Sequence, residues 1–108
     1  MENIDRLIDE LYREIKSRVG NKFTEKTFTT LQTLKVIEEL GEVADVTLRM
    51  WHTRKDKSIT EEELKKKFGE EIADTIISLF TLAKSQNIDI KKCLEEKINI
   101  EIERWRAE

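Results

Sequence analysis

Residues 38–45 read Glu38-Glu39-Leu40-Gly41-Glu42-Val43-Ala44-Asp45, and residues 69–74 repeat the phrase in shortened form as Gly69-Glu70-Glu71-Ile72-Ala73-Asp74. Each copy spaces carboxylates three and four residues apart, which places them on one face of a helix, and each lies inside an apolar pattern of helical period. Both copies are therefore read as helix. If the two helices pack together, their acid clusters meet.

Working outward from these two stretches, the rest of the chain also divides into helices. Before the first copy, Ile4, Leu7, Ile8, Leu11, Tyr12, Ile15 and Val19 follow the spacing of an amphipathic helix that stops near Gly20-Asn21. Thr24 or Thr27 then caps a second helix that runs to about Trp51. Its polar stripe is Lys35, Glu38, Glu42, Asp45, Arg49 and His52, while Glu39 falls off that stripe among Phe28, Val43, Val46 and Met50. Ile37, Leu40, Ala44 and Trp51 cover the opposite side, so this helix needs more cover than one chain is expected to give it.

Residues 52–58 form a charged loop, and Thr60 with Glu63 then makes the capping-box signature of a third helix. Its expected apolar face is Leu64, Phe68, Ile72, Ile76, Leu79 and Ala83, with a stop near Asn87. Asp89 caps a fourth helix whose expected buried stripe is Ile90, Leu94, Ile98, Ile102 and Trp105. Residues 1–108 thus read as one all-α domain of four helices forming an oligomeric bundle. The composition agrees, with 40% charged residues, no proline and three glycines.

Composition also excludes functions. A net charge of -3 does not suit a general nucleic-acid binder, and no apolar run approaches the ~20 residues needed to cross a bilayer. The single cysteine, Cys93, excludes an internal disulfide and is expected to pack as a small apolar side chain. Without a signal-peptide pattern, the chain is expected in the cytoplasm.

The clustered acids carry an energetic conflict. Glu38/Glu42, Glu39/Glu42, Glu42/Asp45, Glu70/Asp74 and Glu71/Asp74 make five like-charge pairs, costing together ~1 to 2.5 kcal/mol in water and more if buried. A divalent cation would resolve it. Hard oxygen donors without thiolate or paired histidine select Mg²⁺, with Mn²⁺ as the alternative ion. A di-iron site would need Glu-x-x-His pairs, and the only histidine is His52. The competing account is a solvated acidic face on a helical interaction module with no catalytic role.

Glu39-x-x-Glu42, followed after 28 residues by Glu71-x-x-Asp74, resembles the signature of the MazG-like all-α nucleoside triphosphate pyrophosphohydrolases. Glu38 and Gly41, and Asn87-Ile88-Asp89 further on, add to the likeness, which spans about residues 31–105. The resemblance implies that Glu39, Glu42, Glu71 and Asp74 hold Mg²⁺ against the triphosphate. Water would then attack the α-phosphorus, releasing a nucleoside monophosphate and pyrophosphate. Glu38 takes a supporting or base role among the catalytic acids. The physiological role implied is house-cleaning of unwanted nucleotides or control of a nucleotide pool, in a homodimer or homotetramer.

Lys97 and Arg104 match basic positions that the family uses near the phosphates, or else pair with Glu101, which stands where relatives often have asparagine. Arg54, Lys55 and Lys57 are further cations for a phosphate or for solvent. The chain also resembles phosphoribosyl-ATP pyrophosphohydrolases, but Ile77-Ser78 stands where their second motif continues Tyr-His. Trp51, Trp105, Phe28 and Tyr12 either stack on a base or fill the core. Gly41 and Gly69 are each expected to mark a close approach of helices.

Overall fold

The computed structural model describes residues 2–19, 22–52 and 59–107. They form α1 (Glu2–Arg18), α2 (Glu25–His52), α3 (Glu61–Ser85) and α4 (Ile90–Ala107), with no strand among the described residues. The chain is all-α. No helix is long and apolar enough to cross a membrane among the described residues.

The helix ends follow side-chain chemistry. Thr24 Oγ1 accepts from the Thr27 amide at 3.2 Å, and Thr60 Oγ1 accepts from the Glu63 amide at 3.1 Å, so each threonine satisfies a donor with no partner inside the helix. Asn87 takes a left-handed φ of 54°, and the Ile88 amide returns to the Ala83 carbonyl at 3.0 Å, which closes α3. The Asp89 carboxylate caps α4 by accepting from the Lys92 amide at 3.3 Å. Gly20-Asn21 and most of the charged loop lie outside the described residues.

α2 and α3 pack as an antiparallel pair. Thr29 and Ser85 share a hydrogen bond of 3.0 Å near one end, while Glu39, Glu42 and Glu71 meet further along. On α3 the side facing α2 is Leu64, Phe68, Glu71, Thr75, Ser78, Leu82 and Ser85, each buried or half-buried and spaced alternately by four and three. That is the seam of a coiled-coil pair. It differs from the apolar face expected of α3, since Ile72, Ile76 and Leu79 are all exposed. The physical reason lies in rotation: a coiled-coil seam is narrow, and centring it on Glu71 and Thr75 turns the Ile72–Ile76–Leu79 ridge outward. Thr75 and Thr81 compensate their burial by donating to the carbonyls of Glu71 and Ile77, both at 2.9 Å.

α1 lies against this pair through a small cluster. Phe28, among the most deeply buried side chains, meets Tyr12 edge-on at 6.4 Å and lies under the Lys16 ammonium at 5.0 Å. Asp9 pairs with Lys84 of α3, and Asp5 pairs with Lys91 of α4. Ile8 is buried and Ile15 half-buried, but Ile4, Leu7, Leu11 and Val19 of the same apolar stripe remain exposed.

Three further expectations are corrected. The stripe Leu94, Ile98, Ile102 and Trp105 is exposed, since no residue of α4 is buried. Cys93 is exposed too, on a helix that has little to pack against. A Cβ at Gly41 or Gly69 would meet nothing within 4 Å, so neither glycine marks a close helix approach within the chain.

Candidate metal centre

The two acidic phrases meet across the α2–α3 seam. Carboxylate oxygens of Glu39, Glu42 and Glu71 lie within 4.8 Å of one another. Glu39 is buried at 6% exposure because its place on α2, between Val36 and Val46, faces α3; Glu71 is half-buried opposite it, and Glu42 stands at the exposed rim. Sequence periodicity had already set Glu39 off the polar stripe, and that offset is what brings it to the seam.

The electrostatics are unresolved within the chain. Lys35, one turn before Glu39, reaches Glu39 Oε1 at 3.1 Å and Glu38 Oε1 at 3.5 Å. The hydrogen bond to Glu39 raises the Lys35 amine above its ordinary value. Glu39 Oε2 and Glu71 Oε2 are both buried without a hydrogen-bond partner. A buried acceptor left unpaired costs ~1 to 3 kcal/mol, and a charged one costs more. Glu42 is pushed up from 4.5 to about 6, first by a hydrogen bond shared with Glu71, then by the negative charge of Glu39 and by desolvation.

Those two orphaned oxygens test the donor set for a cation. Three carboxylates at this spacing, all hard oxygen donors, fit a small divalent ion such as Mg²⁺ or Mn²⁺ that keeps part of its water shell. Asp74 is exposed and outside the three-carboxylate cluster; it borders the same groove as Lys35 and Glu39. Glu38 is exposed and paired with Lys35. Asp45 points outward and pairs with Arg49 at 3.0 Å, a bystander to the cluster.

The basic residues expected near a phosphate stand elsewhere. Arg104 pairs with Glu101 at 2.9 Å, and Lys97 is exposed on the same unburied helix. Neither borders the groove beside the acids. Arg54, Lys55 and Lys57 lie outside the described residues, as does the side chain of His52. Of the aromatic candidates, Phe28 and Tyr12 pack together, whereas Trp51 and Trp105 are 72% and 70% exposed. Among the described residues, Lys35 is the cation that pairs with Glu39 and Glu38. The sequence pattern sets Lys35 on the polar stripe with Glu38 and leaves Glu39 off it, so the Lys35–Glu39 contact is a finding of the fold.

Comparison with known proteins finds no family model, no curated protein and no solved structure that matches this chain.

Proposed function

We propose that the protein is a Mg²⁺-dependent nucleoside triphosphate pyrophosphohydrolase of the MazG-like kind, cleaving its substrate to a nucleoside monophosphate and pyrophosphate. One observation carries the reading: two buried glutamate oxygens without partners, Glu39 Oε2 and Glu71 Oε2, sit in a three-carboxylate cluster built from two separated sequence motifs. Glu39, Glu42 and Glu71 would hold the ion, with Asp74 as the fourth acid beside the groove. When bound, Mg²⁺ neutralises phosphate oxygens and lowers the pKa of a coordinated water. Lys35 pairs with both Glu39 and Glu38, and Glu38 would take the supporting or base role.

The working form is read as a homodimer or homotetramer. The chain exposes 8890 Å², whereas a folded monomer of its mass exposes about 6,300 Å². Its radius of gyration is 17.3 Å, against about 13 Å for a compact chain of this length. The excess surface includes Ile37, Leu40 and Trp51 of α2 and Ile98 and Trp105 of α4, which a second copy would cover. The exposed thiol of Cys93 suits a reducing cytoplasm. House-cleaning of nucleotides or control of a nucleotide pool suits the activity.

The same exposed apolar faces also favour a second reading, a helical interaction module without catalysis. Incubation with a panel of nucleoside triphosphates and Mg²⁺, with pyrophosphate as the readout, separates the two. Release is expected for at least one substrate, and Glu42→Gln and Asp74→Asn should each lower it by about a hundredfold or more. No release from any substrate, with melting unchanged by Mg²⁺ and nucleotide, would overturn the enzymatic reading.

A further inference from the structure

α4 is a helix with an apolar stripe and nothing on it. Leu94, Ile98, Ile102 and Trp105 follow one another at helical spacing, so they share a face, yet all four are exposed and no residue of α4 is buried. A helix of 18 residues standing alone is marginal in water, and Ile98, Ile100 and Ile102 are β-branched residues of modest helix propensity. Such a helix gains its stability when its stripe is seated against other apolar surface.

The α2–α3 pair has a flank that offers such a seat. With Glu39 and Glu71 facing each other across the seam, Leu40, Ala44 and Trp51 stand roughly a quarter to a third of a turn round α2. Ile72, Ile76 and Leu79 stand as far round α3, on the same side of the antiparallel pair, and all six side chains are exposed. In a chain with 40% charged residues, no charged residue falls on this side between Thr29 and Trp51 or between Phe68 and Ala83. The opposite flank carries Asp74, Ile77 and Thr81, and α1 lies there, since its Ile15 lines the same groove.

The stripe and the uncharged flank do not meet within one chain. The first turn of α4 is held on the side of α1: Lys91 pairs with Asp5, and Ile90 and Lys91 border one cavity with Ile8, Asp9 and Tyr12. The surface available for a second copy is ample. The chain exposes about 2,600 Å² more than a compact monomer of its mass, whereas a standard interface takes ~800 Å² from each partner.

We propose that α4 of one copy seats its Leu94–Trp105 stripe on the uncharged α2–α3 flank of a second copy, and that the second copy returns the contact across a two-fold axis. This names the surfaces of the assembly put forward above and rests on that part of the reading, not on its chemistry. Reciprocal seating covers both apolar surfaces of each chain at once. It leaves the opposite flank, with Asp74 and the groove, open to solvent.

The test is sedimentation velocity of full-length variants at micromolar concentration, where the wild type should show at least twice the mass of the 12.8 kDa chain. Ile76→Asp on the flank and Ile98→Lys on α4 should each weaken self-association by at least a hundredfold, because each places a charge inside the apolar contact. An equal mixture of these two variants should associate again, since the intact α4 of one meets the intact flank of the other and lysine meets aspartate at the second contact. Ile76→Ala and Ile98→Ala, which introduce no charge, should each weaken association by about tenfold. Undiminished association of both Ile98 variants, or a mixture that stays monomeric, would overturn the seating and leave the assembly standing. A monomeric wild type would overturn both.

Discussion

Replacing Glu39 by glutamine should stabilise the metal-free protein and blunt its response to Mg²⁺. The wild-type side chain is 6% exposed, with Oε1 held by Lys35 at 3.1 Å and Oε2 unpartnered, and Glu71 Oε2 is a second orphan within reach. A glutamine keeps an oxygen for Lys35 and turns an NH₂ toward the glutamate oxygens. Pairing even one orphaned acceptor is worth ~1 to 3 kcal/mol. Against it stands the loss of one ion pair with a half-exposed lysine, ~0.2 to 1 kcal/mol. The net gain is about 1 to 2 kcal/mol, which for a chain of 108 residues amounts to about 4 to 9 °C in Tm. With Mg²⁺ at a hundred times its Kd the wild type gains ~2.7 kcal/mol, while a variant binding tenfold more weakly gains ~1.4 kcal/mol, so the gap should close. Thermal melts followed by circular dichroism at matched protein concentration, in EDTA and in Mg²⁺, give both numbers. A variant that melts below wild type in EDTA, or equal Mg²⁺ gains for both proteins, would refute the reasoning.

The pH dependence follows from Glu42, whose carboxyl is raised from 4.5 to about 6 in the fold. The folded state therefore holds this proton more tightly than the unfolded one, so the repulsion in the cluster is absent below about pH 4.5 and fully present above about pH 6. Tm in EDTA should rise as pH falls from neutral towards 5, and Glu42→Gln should flatten that rise; parallel profiles for the two proteins would contradict it. Asp9, lowered mainly by its hydrogen bond to Lys84, works in the opposite sense but only below its ordinary value of 3.8, outside this window. Sedimentation at micromolar concentration should give a mass above that of the 12.8 kDa chain, and a clean monomer would count against the assembly. Phe28→Ala removes the larger of the two largest fully buried side chains among the described residues and should cost ~3 to 5 kcal/mol in a denaturant titration; a loss below ~1 kcal/mol would show that the α1–α2 contact contributes little.

Much of this architecture is legible in the sequence because it is set by local chemistry. Thr60 and Asp89 cap the helices that the capping pattern assigns them, and Asn87 adopts the left-handed geometry its side chain tolerates. The meeting of Glu39, Glu42 and Glu71 is legible as well, because the wheel sets Glu39 off the polar stripe. What periodicity did not reveal is which of two adjacent faces of α3 turns inward. Ile72, Ile76 and Leu79 make the more apolar face, yet Thr75 and Ser78 are buried instead. Hydrophobicity ranks faces by transfer energy and carries no term for a small residue that lets helices approach or for a hydroxyl that satisfies itself on its own helix, as Thr75 does.

The inward acids and the outward apolar ridges have a common physical explanation. A coiled-coil seam between two helices is only two positions wide per heptad, and here the middle of it is given to Glu39, Glu71, Thr75 and Ser78. Carboxylates and short hydroxyl side chains supply little apolar burial to hold the pair together, and the larger apolar side chains sit on the flanks: Ile37 and Leu40 on α2, Ile72 and Ile76 on α3. Flanking ridges stabilise a helical pair only when something else covers them, and under the proposed assembly the unburied α4, with Ile98 and Ile102 on one stripe, would offer that cover from a second copy. The proposed assembly would then supply what the seam withholds. On this account the carboxylates can remain close together because the cost of their repulsion is met by burial outside the seam, and separating the copies should loosen the acidic cluster before it unfolds the helices.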